Sequence, residues 1–325
     1  MGSHLVDALV AAGHEVYGVD DMSGGFHRNI DSGSVFTAID LRDQARTAEL
    51  IASVRPALIY HLAADATEGR SQFTPNGCVQ RNLMAYLNVL VPAISHGLQK
   101  MVLVSSMSVY GAQRPPFNEE MGRDPVDVYG VAKASMERIT EILADVHGFQ
   151  YTIIRPHNVY GPRQNIADPY RNVVGIFINA MLNEKPFYIY GDGEQKRAFT
   201  YIDDFTPYLA NAGLDATANG EIINIGPQEE SSINELAELV LSTFFVRRVP
   251  DQMQPIHVPD RPREVKEAFC TNDKATRLLG YKTTVGLEQG VTRMVAWART
   301  LGPQAPRFLA DGLEIVNDRV PVTWR

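Results

Sequence analysis

The chain has 325 residues, 45% of them hydrophobic and 21% charged, an ordinary soluble globular composition with room for one large domain or two small ones. Its formal net charge of −8 and pI near 5.5 argue against nucleic acid or an anionic membrane as the main partner, while leaving open a phosphate held by local N–H groups and a few arginines. No run of about 18 apolar residues is present to span a membrane, and no basic-then-apolar leader opens the chain. The two cysteines, Cys78 and Cys270, stand in no CxxC or Cys/His cluster, so free thiols, no metal and a cytoplasmic setting are expected.

In chain order, residues 3–12 carry apolar positions at 5, 6, 9 and 10 and stop at Gly13, a helix with a glycine terminator. A short buried strand over 16–20 follows and closes on Asp20. The alternation repeats: a strand over 35–39 ending in Asp40, a helix over 43–54, a strand over 57–62, a helix over about 78–97, a strand over 101–104, a helix over 129–147 and a strand over 151–154. Strands alternating with helices of this length predict a doubly wound parallel sheet, and their continuous apolar runs suit strands covered on both faces. Beyond about residue 160 proline and glycine become frequent, and helices are expected near 173–183, 203–213, 232–245 and 286–300. This predicts a first domain over 1–160, with returning segments from about 200–228, and a smaller α/β lobe over 161–325. The proline-bearing tail from 302 to 325 matches no motif.

The chain opens in a helix, with no strand before it. In a dinucleotide-binding sheet the first strand and its glycine-rich turn deliver a pyrophosphate to that helix, and here only Gly2 stands where the last glycine of such a turn belongs. Two explanations are open: Met1 is an internal methionine of a longer product, which is the expectation because a sheet without its central strand packs poorly, or the turn has been lost.

Tyr129 and Lys133 are four apart on a predicted helix and so share a face. A phenol starts from a pKa of about 10, and a fixed positive charge beside it favours the phenolate, which makes the pair a sensible general base. Alone it fits a solvated helix face equally well. Ser106 ends a strand at the carboxyl edge of the sheet, where open α/β folds bind ligands. No metal-ligand cluster and no Gly-x-Ser-x-Gly is present.

In order, Ser105-Ser106-Met107-Ser108-Val109-Tyr110-Gly111, Tyr129-x-x-x-Lys133 and Arg155-Pro156-His157-Asn158-Val159-Tyr160-Gly161-Pro162 resemble the extended short-chain dehydrogenase/reductases. Within them the chain is most similar to nucleotide-sugar epimerases of the UDP-glucose 4-epimerase type. The similarity extends through Gly2-Ser3-His4-Leu5, His61-Leu62-Ala63-Ala64, Arg197 before Tyr201-Ile202-Asp203-Asp204, and Leu278-Leu279-Gly280-Tyr281, about residues 2–300.

The resemblance implies a Rossmann-like fold with a substrate-binding lobe, NAD as cofactor and a nucleotide-diphosphate sugar as substrate. It implies Ser106, Tyr129 and Lys133 as catalytic residues, Tyr129 taking the proton from the C4 hydroxyl and Lys133 also bonding the nicotinamide ribose. Cofactor contacts are expected from Gly2, Asp20, Asp40, Leu41, Leu62, Ala63, Ala64, Asn82 and Ser105; a carboxylate at Asp20 suits NAD over NADP. Sugar-nucleotide contacts are expected from Ser106, Met107, Ser108, Asn158, Asn172, Arg197 and Arg261, the arginines because a planar fork donates two parallel bonds to phosphate. Arg261 sits in Arg261-Pro262-Arg263-Glu264, where relatives more often carry Gly-Asp after the proline.

Met107 and Ser108 replace the acids that 4,6-dehydratases and glucuronate decarboxylases carry after the catalytic Ser/Thr, which favours epimerisation at C4 through a 4-keto sugar. The alternatives are a reductase or 5,6-dehydratase of a 4-keto sugar, or a non-catalytic nucleotide-sugar binder. His157 is expected as a packed pocket wall. The helices over 78–97 and 129–147 belong to elements that form an intersubunit four-helix bundle in the family, so a homodimer is expected.

Overall fold

A computed structural model describes residues 1–170, 172–308 and 312–324. The first half alternates as its apolar pattern predicts: α1 (Gly2–Ala11), β1 (Tyr17–Asp20), β2 (Val35–Ala38), α2 (Gln44–Val54), β3 (Leu58–His61), α3 (Glu68–Ser71), α4 (Pro75–Val79), α5 (Ala85–Ser95), β4 (Lys100–Val104), α6 (Val128–His147) and β5 (Gln150–Pro156). The second half contributes β6 (Val159–Tyr160), α7 (Val173–Leu182), β7 (Tyr188–Tyr190), β8 (Lys196–Arg197), β9 (Thr200–Tyr201), α8 (Thr206–Leu214), β10 (Glu221–Ile225), β11 (Ser231–Ser232), α9 (Ile233–Phe244), β12 (Ile256–Val258), β13 (Glu267–Ala268), α10 (Asp273–Leu279) and α11 (Leu287–Leu301).

The strands β10, β5, β4 and β3 lie side by side in that order, all parallel, with Leu103 of β4 opposite His61 on one side and Ile153 on the other. Every residue of β4 is buried. Its side chains alternate between two cores: Met101 and Leu103 meet Ile51, Tyr86, Leu90 and Met136 from α2, α5 and α6, while Val102 and Val104 meet Leu5, Leu9 and Leu209 from α1 and α8. Helices on both faces are what allow a continuous Val/Leu/Met strand. The parallel pair β1–β2 forms its own two-stranded sheet; among the described residues β1 pairs only with β2, and β3 only with β4.

Helix α6 starts where Asp127 caps it, the carboxylate accepting from the Gly130 N–H at 2.7 Å, and stops at Gly148 in the left-handed region. The helix expected over about 78–97 is instead broken. A π-helical turn over Gln80–Met84 separates α4 from α5, and inside it the Asn82 amide donates to the carbonyls of Cys78 and Asp65 at 2.9 and 3.2 Å. Such insertions accompany functional sites often enough to mark this one.

In the second lobe β11–β8–β13 and β7–β12 are short ladders around α7, α9 and α11. The tail after α11 folds back over both halves of the chain. Gln304 exchanges hydrogen bonds with Asn179, Arg307 N–H donates to the Ala167 carbonyl, and the Glu314 carboxylate accepts from the N–H groups of Asn76 and Gly77 at the start of α4. Trp324 ends up edge-on to Tyr170 and Phe73. Both cysteines are buried and unpaired. Among the described residues no helix is long and apolar enough to cross a membrane, and no group of three His, Cys, Asp or Glu is arranged to hold a metal ion.

Candidate active site

The chain leaves β4 at Val104, and Ser105 N–H still pairs with the Ile154 carbonyl. Ser106 is extended and caps a 3-10 turn over Met107–Tyr110: its Oγ accepts from Ser108 N–H at 3.1 Å and lies 3.1 Å from Ser108 Oγ. Tyr129 and Lys133 project from the first two turns of α6, both buried. Lys133 Nζ donates to the Val104 carbonyl at 2.8 Å and stands 5.8 Å from the centre of the Tyr129 ring. One lysine thus ties the strand end that carries Ser106 to the helix that carries Tyr129. Gly130 makes this approach possible, since a Cβ there would stand 2.7 Å from the Ser108 carbonyl oxygen.

Burial lowers the Lys133 pKa to about 8, with Glu137 and Cys78 pulling it upward. Glu137, one turn further along α6, is itself fully buried, yet its pKa is lowered because its partners outweigh the cost of burial. Arg155 donates to it twice at 2.9 and 2.7 Å, Arg123 at 2.5 Å and the Ser105 hydroxyl at 2.5 Å. The Ser105 hydroxyl is therefore committed to this network behind the site.

A cavity of about 440 Å³ opens beside Met107 and Ser108 and continues past Asn158 and Asn172 to Arg197 and Arg261. Asn158 and Asn172 both adopt positive φ, and their amides donate to backbone carbonyls, Ala198 at 2.9 Å and Val159 at 2.6 Å; the buried Asn172 Oδ1 has no hydrogen-bond partner among the described residues. The two arginines come from β8 and from the loop before β13. They converge on one carboxylate: Glu264 accepts from Arg197 at 2.9 Å and from Arg261 at 2.8 and 3.1 Å. Arg261 also stacks over Tyr190, 4.8 Å from the ring centre. Trp324 and Phe308 of the tail line the same cavity.

Two acids outside the set expected from the sequence line the cavity. Glu68 Oε1 accepts from Ser108 Oγ at 3.3 Å, and Asp127 lines the same wall. Burial first, and then Glu68, push the Asp127 carboxyl up to about 7. Burial likewise raises Glu68, with Arg261 acting against it. Asp127 had a readable signal, as a helix cap immediately before Val128-Tyr129, and Glu264 had one, three residues after Arg261. Glu68 had none, because the start of α3 meets Ser108 only in the folded chain.

On the other side of the sheet edge, Asp20 closes β1 and accepts from Met22 N–H at 2.7 Å. Asp40 is held by Arg42, which donates to it at 2.6 Å and keeps its carboxyl below the usual range. Between these, the Leu41 carbonyl accepts from the Asn88 amide. Leu62, Ala63 and Ala64 continue from β3 at the same carboxyl edge as Ser105 and Ser106. Asn82 is completely buried rather than on a helix surface, and its Oδ1 has no hydrogen-bond partner among the described residues. Gly2 opens α1, and a Cβ there would meet nothing within 4 Å. His157 is fully buried, packs on Phe117 and is pushed down to about 3 by burial, so it stays neutral one layer behind the cavity wall.

A profile of the NAD dependent epimerase/dehydratase family matches residues 1–226. The chain is 32% identical over 308 residues to the UDP-glucose 4-epimerase of Mycolicibacterium smegmatis, covering 92% of this chain and 95% of that one. Among solved structures it is similar to the UDP-glucose 4-epimerase of Thermotoga maritima with UDP-glucose (31% identity, TM-score 0.82, 92% and 96% covered). It is also similar to the UDP-glucuronic acid 4-epimerase of Bacillus cereus in complex with UDP-glucuronic acid and NAD (29% identity, TM-score 0.83, 92% and 96% covered).

Proposed function

The chain belongs to the NAD dependent epimerase/dehydratase family, with NAD as its cofactor, and from that premise we propose that it inverts C4 of a nucleotide-diphosphate hexose through a 4-keto sugar. The observation that carries this reading is the cavity that runs from Met107 and Ser108, in the turn that Ser106 caps, past Asn158 and Asn172 to the paired arginines Arg197 and Arg261. A ligand that is apolar-ringed and hydroxylated at one end and doubly anionic at the other suits it.

The residues on the cofactor side fit NAD. Asp20 offers a carboxylate at a strand end for a ribose diol, Asn82 has a buried oxygen left over beside Asp65, and Lys133 has two ammonium protons beyond the one given to Val104. We assign Asp20 and Asp40 to the adenosine half, Leu62 to Ala64 to the middle, and Asn82 and Lys133 to the nicotinamide half. Held by these residues, NAD would supply a reversible hydride acceptor for sugar C4.

Tyr129 supplies the base. Its phenolate, favoured by the Lys133 ammonium, accepts the O4 proton as C4 becomes a carbonyl and gives it back on reduction. Ser106 hydrogen-bonds O4 and holds it against the phenol. At the far end the pyrophosphate takes the place of Glu264 as acceptor for Arg197 and Arg261, a charge-assisted exchange of one anion for another. Asn158 and Asn172 orient the sugar-nucleotide between these ends.

Glu68 favours a second reading. It brings to Ser108 the kind of carboxylate that Met107 and Ser108 themselves lack, and an acid beside the sugar serves removal of water from a 4-keto intermediate. One experiment separates the two. A panel of UDP- and dTDP-hexoses is incubated with the protein and NAD in D2O, and NMR reads C4 configuration and C5 deuterium. C4 inversion supports the epimerase; C5 exchange without inversion sinks it in favour of the dehydratase.

We also propose that two copies pair through α5 and α6. Their outer faces and the adjoining turn expose Met84, Val91, Val131, Ile142 and Val146, apolar side chains that are roughly half or more open to solvent. Light scattering is expected to give twice the 36.0 kDa chain mass; a single-chain mass at micromolar concentration removes this part.

A further inference from the structure

Glu68 has a position that catalysis at C4 does not require. Its carboxylate reaches Ser108 Oγ at 3.3 Å, and Ser108 Oγ lies 3.1 Å from Ser106 Oγ. The Glu68 carboxylate therefore stands two hydrogen bonds from the hydroxyl proposed to hold O4. Asp127 lines the same cavity, and burial first, then Glu68, opposes its ionisation. The nearest cations, Arg197 and Arg261, are drawn to Glu264 in the free protein and to the pyrophosphate in the reading above. The hexose end of the cavity is thus acidic, with its counter-charge already committed.

We infer that Glu68 selects the sugar by charge, admitting nucleotide-diphosphate hexoses with a neutral C6 and rejecting hexuronates. The inference rests on the C4 reading of the site, because C5, which bears C6, adjoins the reacting carbon. On this inference a hexose with C4 between Ser106 and Tyr129 carries its C6 group on the Ser108–Glu68 side. A hydroxymethyl group there can donate to the Glu68 carboxylate, in the place where Ser108 now does. A C6 carboxylate cannot donate, and it brings its own negative charge to a partly desolvated wall that already carries two acids. Discrimination by an unfavourable contact with the wrong ligand is how sites separate substrates of nearly equal shape.

The test is equilibrium binding to the full chain, measured by titration calorimetry with UDP, UDP-glucose and UDP-glucuronate, and with the dTDP counterparts alongside. The wild-type Kd for the glucuronate is expected to exceed that for the glucose by at least about tenfold. In Glu68→Gln, whose amide oxygen still accepts from Ser108, that ratio is expected to fall at least about fivefold. A wild-type ratio near one, or a ratio unchanged in the variant, overturns the inference while leaving the nucleotide-sugar reading in place. Failure of both nucleoside diphosphates to bind overturns that reading and the inference with it. If the variant does not fold, the wild-type ratio alone decides.

Discussion

A Cβ built on Gly130 stands 2.7 Å from the carbonyl oxygen of Ser108. The helix bearing Tyr129 and Lys133 is therefore seated directly on the turn bearing Ser106, with no side chain between them. Gly130→Ala sets two effects against each other. Alanine improves helix propensity by about 1 kcal/mol, while overpacking against a backbone carbonyl costs about 1–3 kcal/mol. Stability is expected to change little. Turnover is expected to fall about 100-fold, because displacement of the helix by a fraction of an ångström separates Tyr129 from Ser106. Thermal melting and kcat measured on the same preparation check this; unchanged kcat would show that the contact does not set the geometry.

Lys133 keeps its proton below about pH 8. Its charge favours the Tyr129 phenolate, so that assistance is present below this value and lost as pH rises through it. The kcat profile is expected to fall above about pH 8, as loss of one proton requires. Lys133→Met should abolish this limb and lower kcat by about 10²–10⁴-fold, the range for removing general acid–base assistance. Rates measured from pH 6 to 10 for both proteins decide it, and a limb that persists in Lys133→Met belongs to another group.

Glu137 holds Arg155 where almost no solvent reaches either side chain. Glu137→Ala leaves that guanidinium buried without its anion and is expected to cost about 3–5 kcal/mol, read as a drop in the urea midpoint. Since Glu137 raises the proton affinity of Lys133, any folded fraction should show its basic limb at lower pH. A variant as stable as wild type would mean that Arg155 finds other acceptors.

Asp127 titrates near 7 in the folded chain, far above an unfolded aspartate near 3.8. Between those values the folded state binds more protons than the unfolded one, so this group makes stability fall as pH rises from about 4 to 7. Asp127→Asn keeps a helix cap of equal quality and removes the titration. The variant is expected to be more stable than wild type by about 1–2 kcal/mol at pH 8, discounted for the water that reaches this wall, and to converge with it near pH 4. Melting temperatures at four pH values test the sign, and a wild-type advantage at pH 8 refutes it.

The parallel sheet was readable because buried strands and crossover helices write long, regular patterns, as in Lys100–Val104 followed by Val128–His147. Ser106, Tyr129 and Lys133 were readable for a related reason: each occupies a position set by a strand end or a helix turn. The second lobe was less so. Strands such as Lys196–Arg197 and Glu267–Ala268 have two residues each, too few to show alternation, and their pairing depends on loops closing over long sequence distances. From the sequence, Asn82 is expected as a cofactor contact on a continuous helix, whereas a π-turn buries it, since single-residue insertions leave little trace in hydrophobic periodicity. Glu68 met Ser108 across 40 positions, a proximity that tertiary folding creates and no local pattern encodes.

The C-terminal tail gives the cavity an optical reporter. The chain has two tryptophans: Trp297, within α11, and Trp324, whose indole forms part of the cavity wall against Tyr170 and Phe73. With Trp297 replaced by phenylalanine, all indole emission would originate at that wall. Arrival of a sugar nucleotide would then change the colour or intensity of the emitted light before any bond is made or broken, which allows occupancy to be followed in real time and apart from turnover.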